Sequence, residues 1–198
     1  MKQLILNDGI YPQICSLARA YEGEFAVMLF GSVRGDEHVV THIAPPGKKA
    51  VNDWAFCTND QDHESAFYER LSSEHPGIQW LGDLHAHPPG MAWLSGTDRR
   101  TIREILVGTT DAVHPEEYVA GVMLRTEAGL DIFPTHFTRE NLRGSPMEVR
   151  HEGIHQKPQG TGSLITKTFH HCRSWIGRQH VRRHGGAGGR GHDHADRP

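Results

Sequence analysis

The stretch His85-Ala-His-Pro-Pro-Gly-Met-Ala-Trp-Leu-Ser95-Gly-Thr-Asp98 decides how this chain is read. It directly follows Ile78-Gln-Trp-Leu-Gly-Asp-Leu84, an apolar run with the length and composition of a buried strand. Side chains on a strand alternate between faces, so histidines at i and i+2 point to one side and both imidazoles can reach one ion. Downstream, Asp98-Arg-Arg-Thr-Ile-Arg-Glu-Ile-Leu-Val107 puts Ile102, Ile105 and Leu106 on one helical face, which stands Asp98 at a helix start. Two nitrogens, one carboxylate oxygen and an open fourth position make the ligand set of a catalytic tetrahedral zinc. Magnesium and calcium prefer all-oxygen shells, whereas iron and manganese stay open on ligand type.

The chain has 16 histidines, so an isolated HxH carries little weight; His192-Asp-His194 is another. Ser95-Gly-Thr-Asp98 alone reads as a helix capping box, and capping is compatible with a catalytic role. The whole pattern H-x-H-P-x6-S-x-x-D is expected by chance on the order of 10⁻⁴ times at this composition.

Working outward, Ile10 to Tyr21 places Ile14, Leu17, Ala18 and Tyr21 at helical spacing. The run Phe25-Ala-Val-Met-Leu-Phe30 and the segment Val39 to Ile43 form a strand hairpin around Arg34-Gly35-Asp36. Ala55-Phe-Cys57 reads as a further strand, and His63 to Glu74 as a helix ended by His75-Pro-Gly77. Tyr118 to Leu124 and Leu130 to Phe137 read as a second hairpin around Glu127-Ala-Gly129. The expected fold class is α/β, in the mixed α+β sense, with a catalytic domain over 1–140. Residues 141–183 are expected to be a weakly patterned extension, and 184–198 a disordered His/Gly/Arg-rich tail.

At 198 residues, with 36% hydrophobic and 23% charged residues, the chain suits one ordinary domain with extra length. Its longest apolar stretch, Phe25 to Phe30, is far short of the roughly 20 residues of a membrane span. Met1-Lys-Gln-Leu-Ile-Leu6 runs at once into Asn7-Asp-Gly9, without the features of a secretory signal, so a cytoplasmic location is expected. Cys15, Cys57 and Cys172 have no CxxC spacing and read as plain thiols. Residues 170–198 hold six arginines against two aspartates, a net +4, which leaves −7 on residues 1–169 of the overall −3. An acidic body argues against a nucleic-acid enzyme.

The central string resembles the JAMM motif of MPN-domain zinc metalloproteases, and Trp93-Leu-Ser-Gly-x-Asp98 is similar to the version in the proteasome-lid deubiquitinase. That family carries an upstream glutamate in the pattern E-x-x-G-x-[LM]-x-G. Glu24-Phe-Ala-Val-Met-Leu-Phe-Gly31 matches it at Glu24, Leu29 and Gly31 and departs at Val27. Glu22 shares the strand parity of Glu24 and is its competitor. The resemblance covers about residues 10–137. It implies a cytidine-deaminase-like fold, a curved mixed sheet flanked by helices, in a prokaryote-like single-domain member. It further implies one zinc held by His85, His87 and Asp98, Glu24 as general base and acid, and Ser95 as donor to the tetrahedral oxyanion. In such sites the ion brings the pKa of a water towards 7, within reach of a carboxylate base.

The activity this implies is hydrolysis of a peptide or isopeptide bond at the C-terminal tail of a ubiquitin-like protein, with activating or conjugating enzymes of the same pathway as further partners. A small amide or amino-acid adduct on a sulfur-carrier protein is the alternative substrate. A non-catalytic MPN scaffold would lack the ligands that this chain retains, and a metal-buffering role for His170, His171, His180, His184, His192 and His194 is disfavoured by their irregular spacing. Asp83 and Asp62 are assigned to surface and capping roles, and Met91 and Trp93 to packing the loop onto the body.

Overall fold

β2 (Ala26–Arg34) and β3 (Glu37–Ala44) form the hairpin expected around Arg34-Gly35-Asp36, with Arg34 opposite Glu37 and a two-residue turn between them. Residues 1–54, 56–108 and 114–152 are described by a computed structural model; the expectations for 153–183, for the tail 184–198 and for Cys172 lie outside them. The other strands are β1 (Gln3–Leu6), β4 (Val51–Asp53), β5 (Phe56–Thr58), β6 (Gln79–Ala86), β7 (Glu117–Thr126), β8 (Gly129–Thr138), β9 (Ser145–Pro146) and β10 (Glu148–His151). Helices are α1 (Ile10–Ala20), α2 (Gln61–Glu74) and α3 (Gly96–Val107).

Eight strands make one mixed sheet in the order β10-β1-β3-β2-β6-β7-β8-β9, while β4 and β5 pair as a separate ribbon. β9 pairs with β8 at one end of that order and β10 with β1 at the other, yet Met147 is the one residue between them. Its amide donates to the Pro134 carbonyl at 3.0 Å, and the next amide, of Glu148, donates to the Lys2 carbonyl at 3.2 Å. The sheet is therefore curved until it nearly closes. The α/β class stands. The expected domain limit at residue 140 is corrected: the sheet runs on to His151, because the turn and proline at Gly144 and Pro146 lead through a short strand on β8 into β10, which is held by distant β1.

The strand period sorts the core into two faces. One carries Leu4, Val27, Leu29, Val40, Leu84, Val119 and Met123, closed by Ile10 and Ile14 of α1. On the other, Tyr118, Ala120, Val122 and Phe137 pack against Ile102 and Leu106 of α3, so the helical stripe read from the sequence is the buried one. Phe30 and Ala44 meet Leu71 of α2. No helix among the described residues is long and apolar enough to cross a membrane.

Candidate metal centre

β6 lies between β2, antiparallel to it, and β7, parallel to it, so both edges of the strand are hydrogen-bonded. The bonding continues past its end: the Ala86 amide reaches the Phe25 carbonyl at 2.8 Å and the His87 amide reaches the Met123 carbonyl at 3.1 Å. Gly82, at φ 142°, permits this closeness, since a Cβ there would stand 1.8 Å from the Val119 carbonyl oxygen. Both histidines are thus presented from fixed backbone. His85 sits opposite Val122, on the α3 side of the sheet.

The structure brings His85, His87 and Asp98 together. The two Nε2 atoms are 2.9 Å apart, and each lies 3.5 Å from Asp98 Oδ2. Three ligands around one tetrahedral zinc, with bonds of about 2.0–2.1 Å, stand about 3.3 Å from one another, so the cluster fits the ion with shifts of a few tenths of an ångström. The remaining ring nitrogens face other partners. His87 Nδ1 donates to the Met91 carbonyl at 3.1 Å, and His85 Nδ1 looks towards Asp83 Oδ1 at 3.6 Å, an ion-pair distance. Asp83 Oδ2 in turn accepts the Tyr118 hydroxyl. Both imidazoles thus turn Nε2 towards the shared point, where a metal would displace the proton that now lies between them.

The field of the cluster seeks a cation. Burial works against a charged His85, yet contacts with Asp83 and Asp98 outweigh it and push its pKa up to about 10. Burial likewise opposes the Asp98 carboxylate, but hydrogen bonds from His85, His87 and Ser95 hold it well below the usual range. In the metal-free protein a proton takes the place such a site offers to an ion.

Glu24 precedes β2, where its amide donates to the Asp53 carbonyl at 2.7 Å. Arg125 fixes that approach by donating to the carbonyls of Ala18, Tyr21 and Gly23 at 3.2, 2.7 and 2.8 Å. Burial raises the pKa of Glu24; His87 and His85 oppose the rise and Asp98 adds to it, which sets the carboxyl in the field of all three ligands. Ser95 caps α3: its Oγ accepts the Asp98 amide at 3.2 Å, and its own amide donates to Asp98 Oδ2 at 2.6 Å. The hydroxyl proton is not consumed by the cap. Cys57 of β5 feels the charges of Glu24, Asp83 and Asp98, but burial above all pushes its thiol up to about 12, so it stays protonated.

Two assignments are corrected. Asp83 is no surface carboxylate, since it touches His85 and Tyr118; standing two residues before His85 on one strand, it shares the histidine's face. Asp62 is the exposed surface carboxylate expected, paired with Lys49 at 2.6 Å, while the cap of α2 is Asp60, which accepts the His63 amide. Trp93 is 57% exposed and Met91 36%, so neither packs the loop down. Leu94 does so, buried against Ile102 and Leu106, and the Met91 carbonyl is held by His87.

No family model matches the chain. The fold is similar to the solution structure of protein DSY2949 from Desulfitobacterium hafniense, with a TM-score of 0.56 at 15% identity over 75% of this chain and 92% of that one. At that identity the likeness speaks for the fold alone.

Proposed function

We propose that this chain is a zinc metallopeptidase of the JAMM type, hydrolysing a peptide or isopeptide bond at the C-terminal tail of a ubiquitin-like protein. The observation that carries the reading is the convergence of His85 Nε2, His87 Nε2 and Asp98 Oδ2 on one point, with both Nδ1 atoms turned to other partners. The motif resemblance supports it. So does the order of elements, in which a helix and hairpin precede a second helix, the histidine-bearing strand, a loop and the helix of Asp98.

His85, His87 and Asp98 would hold the zinc, which supplies Lewis acidity to a water and to the scissile carbonyl. Glu24 takes the water proton as the oxygen bonds to the carbonyl carbon. As the C–N bond breaks, the Glu24 carboxylic acid returns a proton to the leaving amine. Ser95 directs its hydroxyl at the developing oxyanion while its amide keeps Asp98 in place. The exposed Trp54 and Phe56 around the β4–β5 ribbon and Trp93 of the loop offer apolar surface to an extended substrate tail.

The test is metal content by mass spectrometry, with hydrolysis of a ubiquitin-like protein carrying a C-terminal extension. Wild type is expected to hold zinc and cleave, Glu24→Gln to hold zinc and not cleave, and His85→Ala/His87→Ala to lose the zinc of this site. Wild-type turnover by Glu24→Gln would remove Glu24 from the mechanism, and failure of wild type to bind zinc would remove the peptidase. A sulfur-carrier adduct cleaved in place of the protein fusion would select the small-substrate alternative.

A further inference from the structure

On the opposite face of the sheet lies a second group of metal-ligating side chains that the proposed reaction does not use. Glu117 opens β7, and His136 of β8 is paired with Val119 two residues on, so both side chains share the face of Val119 and Met123. His38 of β3 is paired with Leu4, a residue of the same core face. In the strand order β2 and β6 separate β3 from β7, yet the curvature of the sheet brings the three together. Glu117 Oε2 stands 2.7 Å from His136 Nε2 and 3.4 Å from His38 Nε2. One ligand atom from each of the three lies within 4.8 Å of the others.

His38 is the telling member. It is 1% exposed, and among the described residues neither of its ring nitrogens makes a well-formed hydrogen bond, Glu117 Oε2 standing off at 3.4 Å. Buried polar side chains are nearly always satisfied, so an imidazole aimed at a carboxylate and a second imidazole without bonding either calls for a missing partner. Burial holds it neutral, with a lone pair to offer. The competing cation is Lys2, whose Nζ is 3.0 Å from Glu117 Oε2 and whose side chain is partly exposed and able to swing away. A cavity of about 790 Å³, with His38 and Glu117 in its lining, provides the way in.

We propose that His38, Glu117 and His136 form a second metal site, for zinc or a similar divalent transition ion, which ties β3, β7 and β8 together across the curved sheet. Two imidazoles and a carboxylate are the donors that such ions select over calcium or magnesium. The ion would satisfy His38, whereas a simple ion-pair cluster built on Lys2 leaves it orphaned.

The experiment is zinc titration of the full chain carrying His85→Ala/His87→Ala, which removes the first site, followed by melting temperature and by chelator competition. Zinc is expected to raise the melting temperature by about several degrees, and adding His38→Gln to erase that rise. Lys2→Met, which removes the rival cation at a partly exposed position, is expected to tighten zinc binding about threefold or more. Zinc bound by the histidines of residues 155–194 would respond to neither change. A melting temperature indifferent to zinc, an unchanged response in His38→Gln, or Lys2→Met binding no tighter would each overturn the site. Should His38→Gln fail to fold, the Lys2→Met affinity decides alone.

Discussion

The Ser95 amide donates to Asp98 Oδ2 at 2.6 Å, and that same oxygen stands 3.5 Å from the Nε2 atoms of both His85 and His87. One carboxylate oxygen thus joins the helix cap to the candidate metal cluster. Ser95→Ala keeps the backbone donor and loses the hydroxyl. It is expected to retain zinc, to lose about 1 kcal/mol of stability from the cap, and to slow turnover about 100-fold, since a comparable oxyanion donor contributes about 3 kcal/mol. Denaturant unfolding, metal content and kcat measured on one preparation separate the three effects; an unchanged kcat would leave Ser95 a cap and nothing more.

In the proposed site Asp83 would act on the zinc through His85. In Asp83→Asn the partner that selects the His85 tautomer becomes a neutral amide, and zinc affinity is expected to fall about 10- to 100-fold with the fold retained. Competition with a chromogenic chelator reads the affinity. Tyr118→Phe, which removes the hydroxyl that holds Asp83, should shift it in the same direction by less. Full affinity in both variants would return Asp83 to the surface role first assigned to it.

Glu64 of α2 has its carboxyl pushed up to about 7, first by burial and then by repulsion from Asp83 and Asp60, against a hydrogen bond from Asn59. The folded protein therefore holds this proton more tightly than the unfolded chain, and stability falls as pH rises from about 4.5 through about 7. Glu64→Gln is expected to stabilise the protein by about 1–3 kcal/mol at about pH 8 and to change little at about pH 4.5. Urea unfolding at the two pH values measures it, and equal effects at both would disprove the linkage.

Gly31 ends the glutamate-bearing motif at a register shift between β2 and β3, where a Cβ would stand 1.8 Å from the Val39 carbonyl oxygen. Gly31→Ala must part the two strands, and a loss of about 3 kcal/mol is expected. Thermal unfolding checks it; a wild-type transition would mean that the hairpin yields at no cost.

What the sequence made legible was local. The helical stripes at Ile14 and at Ile102 and Leu106, the two hairpins and the HxH parity on β6 all follow from periods within a short window. β1, β9 and β10 escape because each is four residues or fewer, and β1 and β10 are in addition held by partners far along the chain, a pairing that no local pattern encodes. Asp83 escapes for another reason: residue type alone marks a carboxylate as solvated, although the parity that links His85 to His87 extends one step back to it. The meeting of His38 with Glu117 and His136 depends on how far the sheet curls, which composition does not state.

The seam at Met147 also sets an order of events. β1 is synthesised well before β10, yet its outer edge is covered when Glu148 to His151 lie down parallel to Gln3 to Leu6. A nascent chain emerging from the ribosome would expose the row of amides and carbonyls on that edge until nearly all of the described sheet had been made. Such an open edge is a template for strands of other chains. The last strand laid into the sheet therefore acts as the latch of the first, and a chain cut just before residue 145 would expose its oldest edge to its neighbours.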